Sequence, residues 1–364
     1  DYTAQGHTVG LAQRMESMAA SDSCYITHTT AKLVEGYFTL DDLGAVPIKG
    51  IDEPQRIYRL LGSQATATRF QIANRRGLAN FVGREKEQRA LEDALAETVN
   101  GSAQVVGIVA EAGVGKSRLC FEFLEACRAG PHSVYEASAV AHGRDVPYLP
   151  ILELFRALLG ITKKDDDAAA LEKINNSLSK DYAQTIPTIC DFLGVAPSKL
   201  PEVDVGPDER QRQLVGVMSE LIRAKSAEHP TVLLIEDLHW LDAVSEVFIE
   251  QLLNASEASR CLFVLNFRPE FKAAWLRRSR YRQIPLMSLP QDASTQLLTE
   301  LLGEDPSIGP LRDLIFERTT GNPFFVEEIA QSLIESGHLQ GATGAYRLVT
   351  AIEQLAIPPT VKAV

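Results

Sequence analysis

The sequence predicts an α/β fold, a parallel sheet covered by helices, preceded by a smaller α+β segment. Three observations predict it. From residue 81 onward, short apolar runs alternate with helical stretches, the pattern of a parallel sheet buried on both faces. The stretch 147–225 has no strand-like run and predicts a helical insertion. Residues 1–62 instead mix short helical and β-rich runs.

The composition bounds the class of protein. The 364 residues are 45% hydrophobic and 23% charged, values typical of globular domains, and the length allows two or three of them. A net charge of -12 argues against broad attraction to nucleic acid or anionic lipid, so we expect neither as a direct partner. We also expect no membrane span, because no apolar run reaches the ~20 residues that cross a bilayer. The five cysteines form no CxxC pair, and scattered thiols predict a reduced, cytoplasmic protein.

The elements follow in order. Periodicity predicts helices over 9–18, 85–98 and 117–127 and a helical region from 290 to 334. Apolar or β-rich runs predict strands over 24–27, 37–43, 56–61, 105–109, 134–140, 232–235, 262–265 and 283–286. Residues 63–79 open with small polar side chains followed by arginines, a linker composition.

The strongest motif is Ala110-Glu111-Ala112-Gly113-Val114-Gly115-Lys116-Ser117, which lies between an apolar strand and a helix. Its glycines let backbone N–H groups turn inward around phosphates, its Lys reaches the β- and γ-phosphates, and its Ser can hold Mg²⁺. Ala110 stands where the pattern has its first Gly. Because a Cβ resists positive φ, we expect Ala110 to tighten the entrance of the loop.

Two further strand ends carry chemistry. The run 232–235 ends in Glu236-Asp237, where one carboxylate can serve the Mg²⁺ shell and the other can orient the attacking water. The order Glu-Asp, the reverse of the commoner one, leaves open which acid does which. Arg268 follows the strand 262–265 and is a candidate for reading the γ-phosphate. We expect Trp240 and Trp275 to be packing residues; His239, beside the acids, allows either packing or a supporting role.

Together these motifs resemble the signal-transduction ATPases of the STAND group, and most closely their origin-recognition-type AAA domain. The resemblance covers roughly residues 80–340. It rests on the glycine-rich loop, on the acidic motif that runs from Leu234 to Asp242 and on Arg268-Pro269. It also rests on the opening motif Phe81-Val82-Gly83-Arg84-Glu85 and on Gly321-Asn322-Pro323-Phe324-Phe325. It implies an ATP- and Mg²⁺-dependent conformational switch with slow turnover. It also implies that Val82 and Pro323 lie near the base, and that ATP is preferred over GTP.

Residues 1–62 resemble the carboxyl-terminal half of a class III nucleotide cyclase domain, through Gly6-His7-Thr8-Val9-Gly10-Leu11-Ala12-Gln13-Arg14-Met15. The resemblance implies roles for Arg14 at the phosphates and for Lys49 at the phosphates or base. Gly10 stands where the family has Asn, and the resemblance implies that the metal-binding aspartates belong to a half that would lie before residue 1. A degenerate domain kept for dimerisation and an active cyclase of the intact protein both stay open.

These interpretations divide the chain into five parts: a cyclase-like segment at 1–62, a linker at 63–79, an ATPase core at 80–288, a helical lid at 289–340 and the start of a winged-helix-like element at 341–364. We expect the sequence to be a piece of a longer protein, and a homo-oligomer joined through the cyclase-like part. Two alternatives remain beside the switch: a nucleotide-binding scaffold with little hydrolysis, and the ATPase part of a transcription regulator.

Overall fold

The structure is a computed structural model and describes residues 7–34, 36, 38–48, 51, 53–63, 79–140, 146–196, 205–277 and 280–355. The chain divides into two compact units, Asp1–Leu78 and Ala79–Val364. Within the described residues, no helix combines the length and the apolar character needed to cross a lipid bilayer.

The first unit is a small antiparallel sheet with two helices. Its elements are α1 (His7–Met18), β1 (Cys24–Thr27), α2 (His28–Val34), β2 (Phe38–Val46) and β3 (Gln55–Ser63). The strands lie in the order β1-β3-β2, so β3 pairs with both neighbours. Met15, Ile48 and Ile57 form its buried core. The likeness of this unit to a nucleotide cyclase rests on its sequence alone.

The second unit is built on a five-stranded parallel sheet. Its strands are β4 (Gln104–Val109), β5 (Ser133–Ser138), β6 (Thr231–Glu236), β7 (Cys261–Phe267) and β8 (Tyr281–Pro285). They lie in the order β5-β6-β7-β4-β8, and all four pairings are parallel. The prediction of a parallel sheet is therefore confirmed. The last strand begins two residues earlier than predicted, because polar Tyr281 and Arg282 hide its start in an edge strand that is only partly buried.

Helices cover both faces of this sheet, as the apolar strands require. They are α3 (Glu85–Thr98), α4 (Lys116–Ala129), α5 (Leu149–Leu159), α6 (Asp167–Ser177), α7 (Ile186–Leu193), α8 (Pro207–Glu228) and α9 (Ala243–Ala255). The predicted insertion between β5 and β6 is α5 to α8. Asp166, in an acidic run that marks a helix start, caps α6 by accepting a hydrogen bond from the Ala169 N–H at 2.8 Å.

A helical lid follows the sheet. It consists of α10 (Gln291–Leu302), α11 (Gly309–Thr319) and α12 (Pro323–Glu335), then the short antiparallel strands β9 (Leu339–Gln340) and β10 (Arg347–Leu348). The lid has a hydrophobic core of its own. The expected winged-helix element is not described beyond residue 355.

The strand order decides where the chemistry can lie. The strand β7 lies between β6 and β4, so the acid pair after β6, Arg268 after β7 and the glycine-rich loop after β4 reach one edge of the sheet. In open parallel sheets, ligands bind in the crevice at the carboxyl ends of the strands.

Candidate functional site

The glycine-rich loop has the conformation that its residues predict. Gly113 and Gly115 have φ of 79° and 103°, a region that glycine enters without a steric penalty. Gly115 is the N-cap of α4, so the free N–H groups of the first helical turn face the end of the loop, where anions bind.

Ala110 does not adopt the positive φ on which its expected effect at the loop entrance depends. Among the described residues, four non-glycine residues have positive φ, and Ala110 is not one of them. Its side chain is buried, and its N–H donates to the Phe267 carbonyl at 3.3 Å. The first position of the loop continues the strand, so a Cβ is accommodated there.

Lys116 is buried against the loop that it follows. Its Nζ donates to the carbonyls of Ala110 at 2.7 Å and Glu111 at 3.0 Å. Burial lowers the pKa of Lys116, and the nearby carboxylate of Asp237 opposes that shift. The ammonium is thus held at the loop, within the electrostatic reach of the acid pair.

Glu236 ends β6 and is 8% exposed. It accepts a hydrogen bond from Asn266 Nδ2 at 3.0 Å, and the nearby Ser117 side chain lowers its pKa. Burial and the neighbouring charge of Asp237 raise the pKa of Glu236. The acid pair and a side chain of the phosphate loop are therefore close enough to influence one another.

Asp237 has φ 56° and ψ 45°, the left-handed region that Asp tolerates better than most residues. Its N–H donates to Asn266 Oδ1 at 2.8 Å. Burial raises the pKa of Asp237, while Lys116 and Arg268 lower it.

Asn266 is the residue at this site that sequence reasoning missed. It is completely buried, yet its amide serves both acids. The signal was available: Asn266 is the one polar side chain in the run Cys261–Phe267, whose residues are all buried. A buried amide needs partners, and the adjacent strand end supplies them.

Arg268 lies over an aromatic side chain. Its guanidinium carbon is 5.6 Å from the centre of the Trp240 ring, and Trp240 ends a short 3-10 turn, Leu238–Trp240. His239 in the same turn is buried, with Nδ1 3.9 Å from Asp237 Oδ1. Of the two tryptophans, only Trp275 is wholly in the core, at 1% exposed.

The lid contacts the phosphate loop directly. Asn322 Nδ2 donates to the Ala112 carbonyl at 3.0 Å, and the Phe324 N–H donates to the Gly113 carbonyl at 3.3 Å. A Cβ on Gly113 would lie 2.8 Å from Asn322 Oδ1. Pro323 starts α12, and its Cγ would lie 3.9 Å from a Cβ on Gly115.

The opening motif joins the loop to the lid. Val82 is buried in the hydrophobic cluster of the lid. Arg84, a second residue with no role assigned from sequence, is 5% exposed. Its Nη2 donates to the carbonyls of Val114 at 3.0 Å and Met287 at 2.7 Å, and burial lowers the pKa of Arg84.

The remaining predicted residues belong to the first unit. Arg14 is exposed on α1, and Lys49 lies outside the described residues. The structure thus brings together Gly113, Gly115, Lys116, Ser117, Glu236, Asp237, Arg268 and Pro323 at or beside one sheet edge. Among the described residues, no cluster of three or more His, Cys, Asp or Glu side chains could hold a metal by itself.

Three solved structures resemble parts of the chain. Drosophila ORC bound to DNA matches with 12% identity and a TM-score of 0.44, covering 76% of this chain and 64% of that one. A STAND protein with a tetratricopeptide repeat sensor from Pyrococcus horikoshii matches with 17% and 0.39, covering 69% and 30%. AMPPCP-bound DnaA from Aquifex aeolicus matches with 11% and 0.41, covering 72% and 64%.

One relative and one family model match the amino-acid sequence itself. The chain is 24% identical over 331 residues to uncharacterized protein R02095 of Rhizobium meliloti (strain 1021), a match of 90% of this chain and 32% of that protein. It therefore spans about a third of that relative's length. The profile of the family described as AAA ATPase domain (AAA_16) matches residues 80–265, just over half of the chain. The chain belongs to the AAA ATPase domain family.

Proposed function

We propose that this chain is an ATP-operated switch of the STAND type, in which the bound nucleotide sets the position of the lid on the ATPase core. One observation carries the proposal: the loop suited to hold phosphates also holds the lid. Asn322 Nδ2 donates a hydrogen bond to the Ala112 carbonyl, and the Phe324 N–H donates one to the Gly113 carbonyl. A change in the loop conformation therefore changes the contacts of the lid.

The phosphate end of the nucleotide would lie on the loop. Lys116 supplies the ammonium for the β- and γ-phosphates, and the positive-φ glycines Gly113 and Gly115 orient the N–H groups. Near the base, Val82 and Pro323 supply apolar contacts. The preference for ATP over GTP comes from the resemblance to the STAND group, not from a residue that reads the base.

The residues fit Mg²⁺. This ion is usually bound by one or two carboxylates with substrate phosphates and water, and the Ser117 hydroxyl lies near the Glu236 carboxylate. The repulsion between Glu236 and Asp237, which helps raise the pKa of Glu236, would be relieved by a cation. When bound, Mg²⁺ would neutralise charge on the phosphates.

We assign the two acids different roles. The Ser117 side chain lies close enough to Glu236 to lower its pKa, which favours Glu236 for the metal shell. Asp237 lies near both Lys116 and Arg268, so it would hold the attacking water or accept a proton from it. Arg268 would read the γ-phosphate from the neighbouring strand end.

The first unit would serve as a nucleotide cyclase-like module of the intact protein and as its site of homo-oligomerisation. The support is the sequence 6–15 and the exposure of Arg14 on α1; Lys49 stays a candidate. Measuring cyclic nucleotide formation by the intact protein, and by its Arg14→Ala variant, tests this part separately.

The test of the switch uses the full 364-residue chain. ATP and ADP affinities are measured by calorimetry with Mg²⁺ and with EDTA, for the wild type, Lys116→Ala and the exposed control Lys164→Ala. We expect Lys116→Ala to bind at least about tenfold more weakly, since a hydrogen bond to a charged group contributes roughly 1.5–3 kcal/mol. Lys164→Ala should bind normally, and unchanged binding in Lys116→Ala would overturn the nucleotide site.

Hydrogen exchange in α12 then tests the coupling. We expect its first turn to exchange at different rates with ATP and with ADP, and phosphate release to be slow. Tight binding that leaves the exchange unchanged would contradict the switch, and the added absence of phosphate release would favour the scaffold.

A further inference from the structure

Trp240 has an unusual position for a residue expected only to pack. It is partly exposed, at the end of the 3-10 turn that follows the acid pair. The guanidinium carbon of Arg268 lies 5.6 Å from its ring centre, within the range in which a cation is attracted to the face of an indole.

The indole is also tied to the acid pair. The rings of His239 and Trp240 have centroids 4.9 Å apart, and His239 Nδ1 is 3.9 Å from Asp237 Oδ1. An acid, an imidazole, an indole and a guanidinium thus form a continuous row along the ends of β6 and β7. His239 is buried, so the row has little freedom to move.

Without the indole, other forces would decide where Arg268 lies. Asp237 attracts the guanidinium and Lys116 repels it, as their mutual effects on pKa indicate. An arginine side chain also loses considerable rotamer freedom when it is ordered. A flat aromatic face holds the guanidinium without consuming its hydrogen-bond donors, which stay available for phosphate oxygens.

We infer that Trp240 is the positioning residue that holds Arg268 beside the acid pair, and that it thereby sets how strongly the site distinguishes a nucleoside triphosphate from a diphosphate. The inference rests on the proposed function, because it needs a nucleotide at the loop and Arg268 near its γ-phosphate. It adds a determinant of specificity that lies in the turn after the acids.

The experiment measures Mg²⁺-dependent affinities for ATP and ADP on the full chain by competition with a fluorescent nucleotide. The variants are Trp240→Leu, which removes the aromatic face, Trp240→Phe, which keeps one, Arg268→Ala, and the double variant Trp240→Leu/Arg268→Ala. We expect Trp240→Leu to lower the ATP-to-ADP affinity ratio about fivefold, or ~1 kcal/mol. Trp240→Phe should retain the ratio within about twofold, and the double variant should match Arg268→Ala alone.

Several outcomes would overturn the inference. Equal weakening of ATP and ADP in Trp240→Leu would indicate a structural role only. Additive losses in the double variant would mean that the two residues act independently. An unchanged ratio in Arg268→Ala, with binding still abolished in Lys116→Ala, would refute the inference and leave the nucleotide site intact. If every variant, including Lys116→Ala, bound nucleotide as the wild type does, the proposed function itself would be refuted.

A second measurement leaves Trp240 itself unchanged. The chain has two tryptophans, and Trp275 is buried in the core, so nucleotide-dependent changes in quenching by acrylamide report on Trp240. We expect ATP and ADP to give different quenching in the wild type, and the same quenching in Arg268→Ala. Identical quenching by both nucleotides in the wild type would contradict the inference.

Discussion

Asn266 Nδ2 lies 3.0 Å from Glu236 Oε1, and this side-chain hydrogen bond adds to the backbone pairing between the strand that ends in the acids and the central strand beside the phosphate loop. The other end of the same amide accepts from the Asp237 N–H. One buried side chain therefore fixes the direction of one acid and the backbone turn of the other.

Replacing Asn266 should damage both stability and turnover. Asn266→Ala leaves a buried carboxylate and a buried N–H without this partner, at a cost of about 1–3 kcal/mol. Asn266→Asp should be worse, because it adds a third carboxylate beside Glu236. Urea unfolding and phosphate release measure the two effects, with exposed Asn176→Ala as the control. A stability loss no larger than that of the control would refute this role.

Gly321 fixes the junction between core and lid. Its φ is 74°, and a Cβ there would lie 2.0 Å from the Leu289 carbonyl oxygen. The Leu289 N–H also donates a hydrogen bond to the Gly321 carbonyl at 2.8 Å. We expect Gly321→Ala to lose more than about 2 kcal/mol, from left-handed strain and the backbone clash together. Thermal unfolding measures the loss.

Gly309 offers a matched control within the same lid. Its φ is -51°, and a Cβ there would meet no atom within 4 Å. Gly309→Ala should therefore be neutral or stabilise the protein by about 0.4–1 kcal/mol, through the unfolded chain. Equal losses in both variants would mean that the positive φ and the clash at Gly321 do not matter.

The contact between Gly113 and Asn322 predicts losses that do not add. A Cβ on Gly113 would lie 2.8 Å from Asn322 Oδ1 and 3.0 Å from Phe324 Cβ, at φ 79°. Gly113→Ala should weaken ATP binding and loosen the lid. Adding Asn322→Ala removes the first clash but also the hydrogen bond from Asn322 to Ala112, so the double variant should lose less lid protection than the sum of the two single variants, measured by proteolysis within α12. Purely additive damage in the double variant would contradict this contact.

The fold was largely predictable because its signals are local. The apolar runs of β4, β6 and β7 and the spacing of Leu91, Ala94, Leu95 and Thr98 on α3 are printed in the sequence, and all four of these side chains on α3 are buried. The edge strand β8 was misplaced because only part of it is covered, so its start has no apolar pattern.

The partners of the site residues were less predictable, because they come from sequence-distant elements. Asn322 is separated from Ala112 by 210 positions, and Asn266 from Glu236 by 30. The motifs indicate which side chains gather at the sheet edge, since strand ends meet there. They do not indicate which carbonyl the lid occupies, or that Ala110 avoids positive φ, since both depend on the packed backbone.

Glu236 gives a pH dependence whose sign can be worked out. Burial raises its pKa above the ordinary value of 4.5, so the folded chain binds this proton more tightly than the unfolded chain. This contribution to stability is fully present below pH 4.5 and is lost as the pH rises through the raised pKa. Glu236→Gln cannot ionise, so its stability should rise relative to the wild type over that range.

Urea unfolding at a series of pH values from about 4 to 8 tests this expectation without nucleotide. The exposed Glu172→Gln on α6 is the control and should show no such trend. The difference in unfolding free energy between Glu236→Gln and the wild type should grow in favour of the variant as the pH rises. A difference that stays constant, or that shifts in favour of the wild type, would contradict this expectation.

Substitutions of Asp237 can distinguish the chemical role of its carboxylate from the effect of its left-handed backbone conformation. Asn tolerates the left-handed region as Asp does, and burial raises the pKa of Asp237, so a neutral amide avoids the cost of a buried charge. Asp237→Asn should therefore keep its unfolding free energy at neutral pH and bind ATP within about threefold. Phosphate release should fall by about a hundredfold or more, as expected when a group that accepts a proton is lost.

Asp237→Ala provides the matched comparison, because it loses the carboxylate and also puts Ala at a φ of 56°. It should lose turnover to the same extent but be less stable by about 1–2 kcal/mol. If Asp237→Asn kept its turnover while Glu236→Gln lost it, the two acids would have exchanged roles. The metal shell would then belong to Asp237, and the hydrogen bond from Asn266 Nδ2 to Glu236 would orient the acid that handles the water.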